Sequence, residues 1–207
     1  MAQLPSQRGE GTSERRTAIE ASVLQATEEL LGEGLSFSHL NIERIATRAG
    51  ISRTAFYFYF RDRRELLMRL TENVSELLFA RAEVWWQGEG RQPGALREAL
   101  TAIAGLYLEH GALLRAIVEV STYDQEIADH WRGLVGRFVE ATRERIMREQ
   151  QAGRAQPGLD AQAVAFSLVW MVERTLYEQR VQEGPVTRET VVEALLGIWQ
   201  RAVFTAA

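Results

Sequence analysis

The stretch from Asn41 to Leu67, NIERIATRAGISRTAFYFYFRDRRELL, constrains the fold of this chain most tightly. Helix-start and helix-stop signals follow one another at short intervals in it. Asn41 is a good N-cap, Gly50 supplies a left-handed stop, and Ser52 is a second N-cap. Asp62, with Glu65 three residues later, forms a capping box for a further helix. Ile42, Ile45, Ala46 and Ala49 repeat at helical spacing between the first two signals. The pattern predicts two short helices joined by a tight turn, then a long helix carrying Leu66, Leu67, Leu70, Val74, Leu77 and Leu78 on one face. The run FYFYF alone would suit a strand. Its shortness, inside strong helical flanks, predicts a helix over 52–60 instead.

The charge of this segment is lopsided. Arg44, Arg48, Arg53, Arg61, Arg63 and Arg64 outnumber its acids, in a chain whose net charge is −4. A sequence pI near 5.6 argues against a general nucleic-acid coat protein. It does not argue against specific binding, because the charge that matters is that of the contacting face. A small cationic bihelical unit on an acidic helical body suggests a head that reads DNA.

The rest of the chain reads as helical. Residues 1–13 are polar, with Pro5, Ser6, Gly9 and Gly11, and are expected to be a disordered tail. Ser13 is expected to cap a first helix that ends at Gly32 and Gly34. The long helix opened by Asp62 runs to about 87, before Gly88, Gly90, Pro93 and Gly94. Further helices are expected at about 95–109, 112–121, 124–151, 160–183 and 188–204, with Pro157-Gly158 and Gly184-Pro185 separating the last three. The expected fold class is all-α, about nine helices: a head at 14–60 and a body at 61–207.

Several chemistries have no support. The chain has no cysteine, which removes disulfides, thiolate nucleophiles and cysteine-ligated zinc. His39, His110 and His130 are scattered without a partner at ligand spacing, so no metal is expected, and His110 before Gly111 suits a helix C-terminus. No cofactor motif, Gly-rich phosphate loop or ordered catalytic set is present. Neither a signal peptide nor a membrane-length apolar run is apparent, so a soluble cytoplasmic protein is expected.

In a helix-turn-helix the second helix enters the major groove and reads base edges from its N-terminal residues. Arg53 and Thr54 occupy that position. Arg53 suits a fork on guanine or a phosphate contact, and the two remain open. The hydroxyls of Tyr57 and Tyr59 suit phosphate oxygens, as do backbone N–H groups near Asn41 and Asp62. Phe56 and Phe60, with Leu40 and Ile45, are expected to pack the small core.

These residues carry a resemblance. GISRTAFYFYFRDRRELL, extended upstream through Ile45-Ala46, resembles the signature of the TetR/AcrR family of bacterial one-component regulators over about residues 14–70. The resemblance implies a homodimer whose DNA heads are joined through the fourth helix to all-α ligand and dimerisation domains. It places a phosphate contact on Arg63 and helix contacts on Arg53, Thr54, Tyr57 and Tyr59. Thr54 and Ala55 stand where the family commonly has Gly or Pro and then Thr, a departure that bears on base preference. The expected DNA-contact set is Asn41, Arg44, Arg48, Ser52, Arg53, Thr54, Tyr57, Tyr59 and Arg63.

The body is similar, through FYFYF, WMVERTLYEQ and GIWQRAVF, to the EthR-like branch of that family. Val169 and Val172 replace amides of that branch, while Glu173, Arg174, Thr175 and Leu176 are shared. Aromatic and aliphatic residues fall at three- and four-residue spacings in the body, so each set lies on one helical face. By pattern alone such faces make a filled core. The resemblance implies a pocket for a small hydrophobic effector, lined by Leu100, Ala104, Tyr107, Trp131, Val135, Phe138, Val169, Trp170, Glu173 and Tyr177. Glu173, Tyr107, Tyr177 and Thr122 are its candidate polar anchors. Arg174 is expected to be structural or interfacial. The function implied is a repressor released from a pseudo-palindromic double-stranded operator by that effector, not an enzyme. Two alternatives stay open: an effector-independent DNA-binding regulator with a packed core, and a hydrophobic-ligand carrier or enzyme with a vestigial head.

Overall fold

A computed structural model describes residues 7–180 and 186–204. Among them the chain is all-α, with nine α-helices: α1 Gln7–Gly32, α2 Ile42–Arg48, α3 Arg53–Phe56, α4 Arg63–Trp86, α5 Pro93–Glu109, α6 Gly111–Ser121, α7 Gln125–Gln151, α8 Ala161–Arg180 and α9 Arg188–Val203. A single 3-10 turn, Phe37–His39, precedes α2, and an isolated antiparallel bridge joins Ala155 to Phe204. The expected break at Gly184-Pro185 lies outside the described residues.

The chain divides into two compact units between Leu70 and Thr71, so the first two turns of α4 belong to the first unit. Within that unit the local signals act as their chemistry requires. The Asn41 side chain accepts the Arg44 N–H at 2.8 Å, and Ser52 Oγ accepts the Ala55 N–H at 3.0 Å. Gly50 has φ +72° and closes α2 in a Schellman motif: its N–H donates to the Thr47 carbonyl, and the Ile51 N–H donates to the Ala46 carbonyl. Asp62 caps α4 by accepting the Glu65 N–H at 2.9 Å. Glu65 reaches back to the N–H of Arg61 at 2.8 Å, one residue earlier than in the usual box. Leu40, Ile45, Phe56, Phe60, Leu66 and Leu67 are almost wholly buried around these turns. Each such side chain contributes about 1.5–3 kcal/mol relative to an exposed one.

Two boundaries differ from the sequence expectation. Helix α1 starts at Gln7, so position 13 lies inside it and 7–13 is not a free tail; residues 1–6 lie outside the described residues. The second short helix ends at Phe56 rather than at 60. Beyond it the N–H groups of Phe58 and Tyr59 bond to the carbonyls three residues back, a tightening turn that lets Phe56 and Phe60 face the same core.

In the second unit α7 packs along α8 and α5 against α9. The loop after α4 is fixed by charged side chains of α7. Arg145 donates to the Gly90 carbonyl at 3.0 Å, and Glu149 accepts the Gly90 N–H at 2.9 Å. Gly90 has φ +65°, a conformation that other residues adopt at a cost. Among the described residues no single helix is long and apolar enough to cross a membrane; α5 and α6 reach that test only as a pair bent by 79°.

Candidate functional site

The first candidate site is the exposed face around α3. Arg53 and Thr54 lie exposed in its first turn, raised there by the Ser52 cap. Arg44 is exposed on the first turn of α2. Tyr57 is 48% exposed, with its ring edge-on to Phe56. An open groove brings together Asn41, Arg53 and Arg63, with Glu43 on its wall.

The other expected contacts are engaged inside the head. Arg48 pairs with Glu33, just past the end of α1, at 2.8 Å and with Glu29 on α1 at 3.5 Å. Asn41 and Ser52 use their side chains as caps. Tyr59 is half-buried, with the Arg16 guanidinium 5.9 Å from its ring centre. Arg63 donates through one terminal nitrogen to the carbonyls of Phe37, Ser38 and Leu40. Its guanidinium also lies over the Phe37 ring. Arg63 therefore fastens the segment before α2 to the start of α4.

The second candidate site is a cavity of about 80 Å³ within the body. That is several times the roughly 10–15 Å³ needed for one water. Leu100, Tyr107, Trp131, Val135, Phe138, Val169 and Glu173 line it. Helices α4 and α9 add Trp85, Trp86 and Trp199. Trp86, Phe79 and Phe138 form a ring cluster with centroids 4.5–5.6 Å apart, and Trp85 stands edge-on to Trp199 at 5.2 Å. The Trp86 indole N–H donates to Thr142 Oγ1 at 3.2 Å.

Four expected pocket residues lie elsewhere. Val169, Val172 and Glu173 make up the stripe of α8 that faces the cavity. Trp170 and Tyr177, seven residues apart, share the adjoining stripe. Trp170 packs against the exposed Phe166 at 6.3 Å, and buried Tyr177 lies under the Arg174 guanidinium at 5.1 Å. Ala104 is buried but turned off the α5 stripe that runs through Leu96, Leu100, Ile103 and Tyr107. Thr122 is exposed at the end of α6, where its hydroxyl donates to the Glu119 carbonyl at 2.7 Å.

Polar groups in the cavity are few and perturbed. Burial pushes the Glu173 carboxyl up, against Arg174, which lowers it, and with Glu178, which raises it further. Burial also pushes the Tyr107 hydroxyl well above its ordinary range, and the nearby Glu173 charge adds to the shift. At neutral pH Tyr107 is therefore neutral.

Residues 23–70 match the family described as bacterial regulatory proteins of the tetR family, and residues 96–205 match the C-terminal domain of the transcriptional regulator EthR. The chain belongs to the TetR family of transcriptional regulators, with an EthR-type C-terminal domain. A curated relative, the HTH-type transcriptional regulator EthR of Mycolicibacterium smegmatis, is 29% identical over 187 residues, covering 89% of this chain and 86% of that one. The fold is also that of the regulator FadR from Bacillus subtilis, solved with stearoyl-CoA, at TM-score 0.75 and 14% identity over 88% of this chain and 98% of FadR. AibR, solved with isovaleryl coenzyme A and operator DNA, matches at TM-score 0.64 and 16% identity over 87% of this chain and 97% of AibR.

In this TetR-family regulator two features of the sites escape a reading of the sequence. Phe58 is 73% exposed in the turn after α3. The four-residue spacing of buried Phe56 and Phe60 was the signal that places it outward. The tryptophans of α4 and α9 belong to the cavity wall, and no pattern local to either helix distinguishes a lining residue from a core one.

Proposed function

We propose that this regulator binds a pseudo-palindromic double-stranded DNA operator as a homodimer in the cytoplasm and represses transcription until a small hydrophobic effector enters the body cavity. The observation that carries the DNA reading is the capped start of α3, which leaves Arg53 and Thr54 exposed while Phe56 and Phe60 anchor the turn behind them. In such an arrangement the N-terminal residues of the second helix reach base edges. Arg53, Thr54 and Tyr57 are the proposed readers, with Arg44 on phosphate. Backbone N–H groups at the starts of α2 and α4 add phosphate sites, positioned by Asn41 and Asp62. Arg48, Ser52, Tyr59 and Arg63 hold the reading face in place.

Helices α8 and α9 each leave a large apolar side chain exposed, Phe166 at 54% and Ile198 at 40%, and are the proposed dimer surface. Two heads in a symmetric dimer select half-sites in successive major grooves. The cavity favours an effector-responsive regulator over one with a solid core. Helix α4 lines it with Leu78, Ala82, Trp85 and Trp86, and the same helix begins at Arg63, which makes α4 the proposed lever. An effector must bind one state better than the other to move the equilibrium.

Selection of genomic fragments by the purified protein, with affinity measured across a salt series, tests the DNA reading. A discrete inverted repeat, lost on Arg53→Ala, is expected. Enrichment of bulk DNA alone, with affinity vanishing as salt rises, would leave only phosphate attraction and refute it.

A further inference from the structure

Glu173 is 6% exposed, and its Oε2 has no hydrogen-bond partner. Among the described residues it is the only charged side chain on the cavity wall. The cation beside it, Arg174 Nε, stands 3.8 Å away, beyond hydrogen-bonding distance. Arg174 is also 54% exposed and shared with Glu178 at 3.5 Å, so it neutralises Glu173 only from the rim. A buried acceptor left unmatched is costly to a fold, and such groups are few in native proteins. Valines at 169 and 172 on the same stripe offer it no polar neighbour.

The rest of the wall complements a positive charge. Trp86, Trp131, Tyr107 and Phe138 present aromatic rings, whose faces attract cations in desolvated sites. The indole N–H groups of Trp85 and Trp199 are buried without partners and suit an acceptor elsewhere on the same molecule. An anionic ligand, in contrast, would bring a like charge against Glu173.

We propose that the effector is a small hydrophobic amine whose ammonium group donates to the Glu173 carboxylate inside this aromatic cavity. The inference rests on the reading of the cavity as the effector site. The ammonium supplies the missing donor and adds a counter-charge on the cavity side of the carboxylate. The site selects by charge first and by shape second, because its volume of about 80 Å³ restricts the occupant to a small molecule.

Calorimetric titration of the full-length protein with phenethylamine, 2-phenylethanol and phenylacetate tests the assignment, since the three share one skeleton and differ in charge. Phenethylamine is expected to bind at least about tenfold more tightly than 2-phenylethanol, the size of one charge-assisted hydrogen bond, with phenylacetate weakest. Glu173→Gln should erase that preference, bringing amine and alcohol to similar affinity. Equal binding of amine and alcohol, or an amine preference that survives in E173Q, overturns the amine assignment and leaves the effector site standing. Binding of none of the three, in a protein that melts cooperatively, overturns both.

Discussion

Arg145 Nη1 stands 2.8 Å from Glu149 Oε1 one turn further along α7, and both side chains are buried. Glu149 also accepts from Arg154 Nε at 2.6 Å and from the Gly90 N–H. This cluster ties the end of α7 to the loop that follows Trp86, and so fixes one wall of the cavity. Glu149→Ala leaves Arg145 as an uncompensated buried cation. Equilibrium denaturation should show a loss of about 3–5 kcal/mol. For the wild type, burial pushes the Glu149 carboxyl up, but the Arg154 hydrogen bond, the Gly90 N–H and the Arg145 charge together hold it below its ordinary range. Its contribution is therefore present above the unfolded carboxylate range and lost as pH falls through the folded value. The gap between wild type and E149A should narrow in acid. A gap that widens in acid would contradict the assignment.

Glu173 has the opposite sign. Its folded carboxyl is raised by burial, so the folded state holds the proton more tightly than the unfolded chain does. Stability should fall as pH rises from the unfolded carboxylate range to the folded value, then level off. Glu173→Gln removes this fall. The variant should melt above wild type at neutral pH and lose that advantage in acid, as scanning calorimetry across pH would record.

Gly50 closes α2 at φ +72°, and a Cβ there would meet nothing within 4 Å. The cost of Gly50→Ala is thus backbone strain alone, about 1–2 kcal/mol. Urea denaturation measures it. A neutral effect would mean that the turn relaxes out of the left-handed region.

Arg63 and Arg53 should separate cleanly. Arg63→Ala removes the ties to Phe37, Ser38 and Leu40, and bonds from a charged donor are worth about 1.5–3 kcal/mol. Its melting temperature should fall, with operator affinity falling in consequence. Arg53→Ala, on an exposed first turn, should leave stability within about 0.5 kcal/mol of wild type and abolish specific binding. Paired melting and operator-binding measurements would expose any exchange of these roles.

The head was legible because its instructions are local. A cap needs only the residue three positions on, and a left-handed turn needs only a glycine, so Asn41, Gly50, Ser52 and Asp62 could each be assigned from their own neighbourhood. The apolar spacing of Leu40, Ile45, Phe56 and Phe60 likewise marked the small core. The end of α3 was not legible, since FYFYF has no stop signal. The need to bring both Phe56 and Phe60 into one core decides it.

By itself the sequence determined the helical class, the order of helices, the cationic reading unit and the apolar stripes of the body. Those features depend on spacing and on neighbours within a few positions. Tertiary structure alone decided which arginines are engaged, because the partners of Arg48 and Arg63 lie on α1 and in the segment before α2. It also decided where the body keeps a void. A helical stripe states which residues face inward, but a cavity arises where side chains from α4, α5, α7, α8 and α9 meet without filling the space between them, and that volume belongs to no single helix.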